Sequence, residues 1–494
     1  MRVELPDASI VPHSLKRLGW FIYVAASLIS PRFDFKAIVS ERPYLALQQL
    51  ADPTLLHHHL ANTLWNLHMQ PPLYNLEVGL LLQLPTSWGA VAARLLCGVL
   101  FVATGTWTFA AMVRLDVNRR WAYWVVVALV FANPANLFFG LSVLYVGTAA
   151  ALTTGLAYHA IVFAQDATPK SARRFAWFGV LVALYVTSLQ PLMFLIIVAV
   201  LSLTSASLRR ALLRGARLPL VVLVLFISHT VIQFGTPLSS TWGGMNLARV
   251  TTDLAPRSDL QRLIARHEVS RLALTPAFST LAEYGVAPAK TGAEVRTQVT
   301  KAGGAANYNN DAYRRVADDS LTNGWHYVQQ RPGQYVQHVA RGLGIWLLPS
   351  EQYFLSPTPS QGVLASYQHF YDRALNWQIS PVASNRSQMS LRSRGVGVAN
   401  WSFEALLLTI LAILGGAWLV LARWRRNRGS ALAVLAPWLI FVQGFVIMNL
   451  SDVGENQRFR FQLGTIALTL AVLVLHTLIT RSHRHATLAS VNPK

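Results

Sequence analysis

The chain has 494 residues, of which 53% are hydrophobic and only 13% charged, with a formal net charge of +21. A soluble globular protein carries about 25% charged residues, so the composition excludes an ordinary soluble domain. The positive charge does not point to nucleic acid, because the basic residues lie in short gaps between apolar windows and not on one helix or domain.

Taken in chain order, the windows Phe101–Val113, Trp121–Phe131, Val143–Phe163, Leu192–Leu203, Leu218–Phe234, Phe403–Ala422, Ala431–Met448 and Leu463–Ile479 contain no Asp, Lys or Arg, and their one acid is Glu404 at an edge. Apolar runs approaching 20 residues are what a hydrocarbon core about 30 Å thick asks of a helix. The gaps hold Lys16 and Arg17; Arg114, Arg119 and Arg120; Lys170, Arg173 and Arg174; Arg209, Arg210, Arg214 and Arg217; Arg423, Arg425, Arg426 and Arg428; and Arg481 and Arg484. Basic residues in short loops mark the cytoplasmic side. With Lys16 and Arg17 inside, the span Leu18–Ser30 exits, and no small-residue cleavage pattern follows it, so it reads as a retained span. Spans near Ala90–Val113, Trp121–Phe139, Leu141–Phe163, Phe175–Leu189, Leu192–Leu203 and Leu218–Gly235 follow, with breaks expected at Asn133-Pro134 and Gln190-Pro191. Trp401–Ala422, Ala431–Met448 and Leu463–Ile479 complete about ten spans, with every basic cluster inside. The expected protein is an all-α polytopic protein of the plasma (inner) membrane, with both termini cytoplasmic.

Three parts follow: an N-terminal bundle 1–235 with a first outer loop 31–88, an outer-face helical region 236–400, and C-terminal spans 401–494. Pro71–Pro85 is apolar but has only 15 residues and contains Glu77, so it is expected on the outer side as an interfacial or re-entrant segment. Gly342–Leu348, with Trp346, is expected to dock into the outer leaflet in the same way. In the outer region, Ser258-x-x-Gln261 ahead of Leu260, Leu263, Ile264 and Val269 predicts a capping box opening an amphipathic helix. Helical spacing runs through Asp311–Ala340 with an interruption at Pro332, and Gly303-Gly304 and Pro357-x-Pro359 mark loops. The single Cys97 excludes an intramolecular disulfide.

Three outer-face groups could carry chemistry. The first loop holds Asp34, Glu41, Arg42, Tyr44, Asp52, His57-His58-His59 and the run Asn66 to Tyr74, which includes His68. Carboxylates there suit general-base work, or they are ordinary solvated acids. The three histidines do not form a metal site, because adjacent helical side chains point about 100° apart and no further ligand joins them. The second group is Asp452 to Arg460. Guanidinium groups bind phosphate bidentately, so Arg458 and Arg460 suit a lipid-linked phosphate, or else ordinary phospholipid headgroups. The third is Ser239 to Asn246 with Trp242, and Asn307-Tyr308-Asn309-Asn310, either an aromatic belt or a sugar-stacking platform.

Glu41-Arg42-Pro43-Tyr44, the run His68 to Pro71-Pro72-Leu73-Tyr74, and Glu455-Asn456-Gln457-Arg458-Phe459-Arg460-Phe461 before the last span together resemble bacterial GT-C glycosyltransferases, the protein-mannosyltransferase-like enzymes of glycosyltransferase family 39. The resemblance covers the N-terminal third and the last 50 or so residues. It implies a GT-C-like bundle and transfer of a sugar, with inversion, from a polyprenyl-phosphate-linked donor to a glycan, lipid or protein acceptor at the outer face. It implies Glu41 as catalytic base, with Asp34 as rival, since the family has Asp, often Asp-Glu, where this chain reads Ser40-Glu41. Arg458 and Arg460 would bind the donor phosphate, and Tyr44, His68, Glu455 and Asn456 the substrate. It fixes no cofactor, and a divalent cation such as Mg²⁺ suits a phosphate donor. Neither a Gly-x-Gly-x-x-Gly nor a Walker sequence is present, which favours a lipid donor over a nucleotide sugar. Two other readings stand beside it: a transporter or flippase, and an inactive homologue acting as an assembly protein.

Overall fold

In a medium without water, a chain satisfies its own backbone groups only by coiling into helices or closing a barrel. The computed structural model describes residues 10–29, 47–142, 144–185, 189–352, 363–380 and 388–491. Within them the chain is helical, and one isolated bridge, Thr300 to Ala306, is the only strand-like pairing. The candidate acids Asp34 and Glu41, with Arg42 and Tyr44, and the Pro357-x-Pro359 turn lie outside the described residues.

The elements used below are α1 (His13–Ile29), α2 (Pro72–Leu82), α3 (Thr86–Arg114), α4 (Arg119–Val126, continued by a π turn Val127–Phe131), α5 (Pro134–Gly140), α6 (Tyr145–Asp166), α7 (Pro169–Tyr185), α8 (Pro191–Thr204) and α9 (Arg217–Phe234). After them come α10 (Gly243–Val250), α11 (Ala312–Gln330), α12 (Pro332–Trp346), α13 (Val363–Ala374), α14 (Phe403–Trp424, with a π turn at Leu411–Gly415), α15 (Arg428–Ser451) and α16 (Asn456–Val491).

Among the described residues, six helices are long and apolar enough to cross a membrane: α3, α6, α9, α14, α15 and the stretch Asn456–Ser482 of α16. A seventh candidate is the pair α4 and α5, bent by 60° at Asn133-Pro134. Pro134 cannot donate a backbone bond there, and the Asn133 side chain accepts from the Ala135 N–H at 2.9 Å to start the second half. The other expected spans coincide with α1, α7 and α8, but these have 17, 17 and 14 residues. At 1.5 Å per residue, α8 spans about 21 Å, short of a ~30 Å core, whereas α1 and α7 are described only as far as Ile29 and Tyr185. The chain is thus a helical membrane protein by length and composition, with six helices, or seven with the bent pair, of full spanning length among the described residues.

The centre of the bundle is α6, which packs against α3, α7, α15 and α16. Its Ala, Gly and Thr residues let neighbouring backbones approach closely, as expected where lipid supplies no hydrophobic drive between helices. A Cβ on Gly155 would lie 2.4 Å from the Phe178 ring, and Thr154 meets Thr465 of α16 with 2.6 Å between hydroxyl oxygens. In contrast, α9 leaves most of its apolar surface exposed, including Leu225 and Ile232, as a lipid-facing helix should.

The 11-residue α2 is too short to cross, in line with the expectation for Pro71–Pro85. It carries Glu77 into the interior, where the carboxylate accepts from Tyr185 Oη at 2.7 Å and Thr148 Oγ1 at 3.5 Å. In the outer region, the interruption at Pro332 is real: α11 ends at Gln330 and Pro332 opens α12, where its missing N–H costs nothing. Two expectations are corrected. The helix expected at Ser258 starts at Arg257 after Pro256, so Ser258 sits inside its first turn and caps nothing; a capping box instead joins Thr280 and Glu283. Trp346 does not face lipid: it is fully buried on Phe441 and Phe445 of α15 and donates Nε1–H to Thr409.

Candidate functional site

The N-terminus of α16 separates two polar clusters. Asn456 starts the helix, its Oδ1 accepting the Gly454 N–H and its Nδ2 donating to Asn449 Oδ1 and the Asp452 carbonyl. Residues two apart on a helix point about 200° apart, so Arg458 and Arg460 leave α16 on opposite sides. The expectation that both guanidiniums grip one phosphate is corrected by this geometry.

Arg458 joins a buried charge layer. Its Nη1 lies 2.5 Å from Glu455 Oε2, and its guanidinium stands 5.3 Å from the centre of the Tyr145 ring. Arg249, from α10, donates to Asp452 at 3.3 Å and to Glu455 at 3.2 Å and lies 4.4 Å over the Phe278 ring. Behind it, Arg392 pairs with Asp253 at 3.5 Å. All six charged side chains are nine-tenths or more buried. Burial pushes Asp253 up to about 6 and raises Asp452, against the pull of their arginines. Three cations and three anions balance, as buried charges must. The layer ties α10, the outer region and the start of α16 together.

Arg460 points into a cavity of about 60 Å³ between α4, α5, α6, α14 and α16. Its Nη2 donates to the Leu348 carbonyl at 2.8 Å and to Ser350 Oγ at 3.1 Å, and Nη1 lies 3.9 Å from Glu404 of α14. Its Nε is buried and has no hydrogen-bond partner among the described residues. Glu351, Asn376, Asn133 and Asn136 also line the cavity. One and two turns further along the same helices, Leu408, Gly464 and Leu468 line it as well, so the walls pass from polar to apolar with depth. Burial, and then the neighbouring Asp372, hold Glu351 well above the usual carboxylate range.

The root of the first outer loop is held by the outer region. Lys301 is buried and donates Nζ–H to the Leu47 and Leu50 carbonyls at 2.7 and 2.6 Å, and burial brings it down to about 7. Asp52 accepts from Gln298 Nε2 and the Ala302 N–H, both at 2.7 Å. His68 is fully engaged: Nδ1 meets Thr241 Oγ1 at 2.8 Å and Nε2 meets the Asn309 carbonyl at 2.9 Å, and burial brings it down to about 4. It is a neutral brace and has no ring nitrogen left for a substrate. Asn307, Asn309, Asn310 and Trp242 are likewise buried, their amides bonded to backbone groups of the outer region and of the 66–69 turn, so they form neither an aromatic belt nor a sugar platform. His57, His58 and His59 are exposed, and no group of three or more His, Cys, Asp or Glu side chains among the described residues is arranged to hold a metal.

Arg249, Asp253, Arg392, Glu351, Asp372 and Asn376 were not singled out from sequence, because charges in an outer loop look solvated until the fold buries them. Glu404 did carry a signal, as the one acid in the apolar windows. Comparison of the chain with family models, with characterised proteins and with solved structures gives no match.

Proposed function

We propose that the protein is a membrane glycosyltransferase that moves a sugar from a polyprenyl-phosphate donor to an acceptor at the outer face. The observation that supports this reading most is the Arg460 cavity: a guanidinium with an unsatisfied buried N–H above apolar faces of α14 and α16. A polyprenyl phosphate has the same order of parts, an anionic head and then hydrocarbon. A cation fixed beside the leaving phosphate gains interaction as the glycosidic bond breaks and charge builds on oxygen. Arg460 takes this role, and Arg458, committed to Glu455 and the Tyr145 ring, braces the helix that carries it. Ten membrane passes with cytoplasmic termini remain our topology, the shorter α1, α7 and α8 crossing with the help of less apolar flanks.

A transporter of lipid-linked or small polar substrates is the second reading. It draws on the 60° bend of the α4–α5 pair and on the buried acids Glu77, Glu351 and Glu404, more than a plain bundle needs. The two separate in one assay. Purified protein in nanodiscs is given polyprenyl-phosphate esters of mannose, glucose, galactose and arabinose, and released or transferred sugar is measured. Turnover of at least one donor is expected, falling about 100-fold or more in Arg460→Ala, the scale of losing one charge-stabilising donor. No turnover with any donor, together with substrate flux in proteoliposomes, would establish the transporter instead.

A further inference from the structure

Resting on the transferase reading, we propose that Glu351 is a catalytic residue whose carboxylate takes the proton of the acceptor hydroxyl, with Asp372 as its positioning partner. Glu351 lines the same cavity as Arg460, so a proton acceptor and the cation for the leaving group share one space. Its residue is 2% exposed, and Oε1 accepts from Asn376 Nδ2 at 3.3 Å; the same amide donates to Asp372 Oδ1 at 2.8 Å. Gln352 Nε2 approaches the other Asp372 oxygen at 3.4 Å. The Nε of Arg460, buried and without a partner among the described residues, supplies an independent sign that the cavity receives an acceptor-bearing ligand. Glu404 lies beside Arg460 and offsets its charge, whereas Glu351 is held by the Asn376 amide and faces Asp372 as well as Arg460, the arrangement we assign to proton transfer.

The step balances. The acceptor O–H gives its proton to Glu351, its oxygen forms a bond to the anomeric carbon, and the anomeric carbon–oxygen bond to phosphate breaks with its electron pair passing to the phosphate. The released polyprenyl phosphate is met by Arg460. The charged and titratable groups around Glu351 are Asp372 and Tyr371 on α13, Glu404 on α14 and Arg460 on α16. Glu351 must be ionised to act, and burial with the negative Asp372 raises it. Activity therefore climbs with pH above the range of an ordinary carboxylate, and removing the Asp372 charge moves that climb to lower pH.

The test compares wild type with Glu351→Gln, Glu351→Asp, Asp372→Asn, Glu41→Gln and Asp34→Asn, using the donors named above, with pH profiles and with donor binding and thermal midpoints as controls. Expected are a loss of about 100-fold or more in Glu351→Gln with donor binding kept, partial activity in Glu351→Asp, and a shift of the acid limb to lower pH in Asp372→Asn. A merely structural Asp372 would not move that limb. Wild-type turnover with Glu351→Gln near full activity, and loss instead in Glu41→Gln or Asp34→Asn, would overturn Glu351 and leave the transferase standing. No wild-type turnover with any donor would overturn both.

Discussion

Arg249→Met is expected to destabilise the protein by about 3–5 kcal/mol, the cost of removing one partner from a buried ion group. Arg249 is 4% exposed and holds both Asp452 and Glu455. Without it, Arg458 and Arg392 face the three buried carboxylates Asp452, Glu455 and Asp253, and one negative charge is left uncompensated. The loss should depend on pH with a definite sign. Burial already raises Asp452, while Arg249 holds it down; removing Arg249 lets it rise further, and protonation then relieves the excess charge. The destabilisation should therefore be larger near pH 8 than near pH 5.5, and Asp452→Asn added to Arg249→Met should recover part of it at the higher pH. Thermal unfolding in detergent measures all three. An Arg249→Met protein as stable as wild type at pH 8 would mean that the charge layer contributes nothing to stability.

Gly244→Ala is expected to unseat the outer region, whereas the adjacent Gly243→Ala is expected to be neutral or slightly stabilising. A Cβ at Gly244 would lie 1.8 Å from the Ala317 carbonyl oxygen and 2.7 Å from the Leu321 nitrogen, both backbone atoms of α11; at Gly243 it would meet nothing within 4 Å. Side chains rotate away from such overlaps, but a helix backbone must shift as a unit. That shift would open the cluster of Trp242, Met245, Tyr313, Val316 and Ala317 where α10 lies on α11. The cost should reach the upper end of the roughly 1–3 kcal/mol seen for overpacked cores. Gly243 is an exposed first-turn residue, where Ala gains up to about 1 kcal/mol of helix preference. Limited proteolysis of the outer region reads both variants: faster cleavage in Gly244→Ala alone is the expected pattern, and equal cleavage in the two would contradict it.

Membrane embedding was legible because it depends on charges being absent over long runs, a property no tertiary contact alters. The break at Asn133-Pro134 and the division at Pro332 were legible for a similar reason, since a proline lacks its N–H in any context. The length of each continuous helix was not, because hydropathy marks apolar residues and not where a helix stops: α8 is as apolar as any span, yet stops after 14 residues. Trp346 misled for the opposite reason. A lone tryptophan near an interface has the composition of a belt residue, and only packing against Phe441 and Phe445 distinguishes burial from anchoring.

The site was legible in part. Arg458 and Arg460 stood out as arginines on the outer side, and both prove to be buried or nearly so. Their divergence follows from helix geometry, but only once α16 is known to begin at Asn456; as an extended strand, residues two apart would have shared a face. His68 was noticed for its chemistry, and what it does is hold Thr241 and Asn309 together. Glu351 and Asp372 lie 21 positions apart, with no spacing that links them. Only the fold brings them side by side, with the Asn376 amide bonded to both.

The most direct measurement uses a polyprenyl-phosphate sugar carrying a photoactivatable group near the phosphate end of its chain, crosslinked to the protein in nanodiscs and mapped by mass spectrometry. Labels confined to the cavity walls of α14 and α16, around Leu408, Phe461 and Leu468, and lost in Arg460→Ala, are the expected result. Labels spread over the lipid-facing residues of α9 and the other exposed helices, unchanged by Arg460→Ala, would contradict a lipid-phosphate site at Arg460.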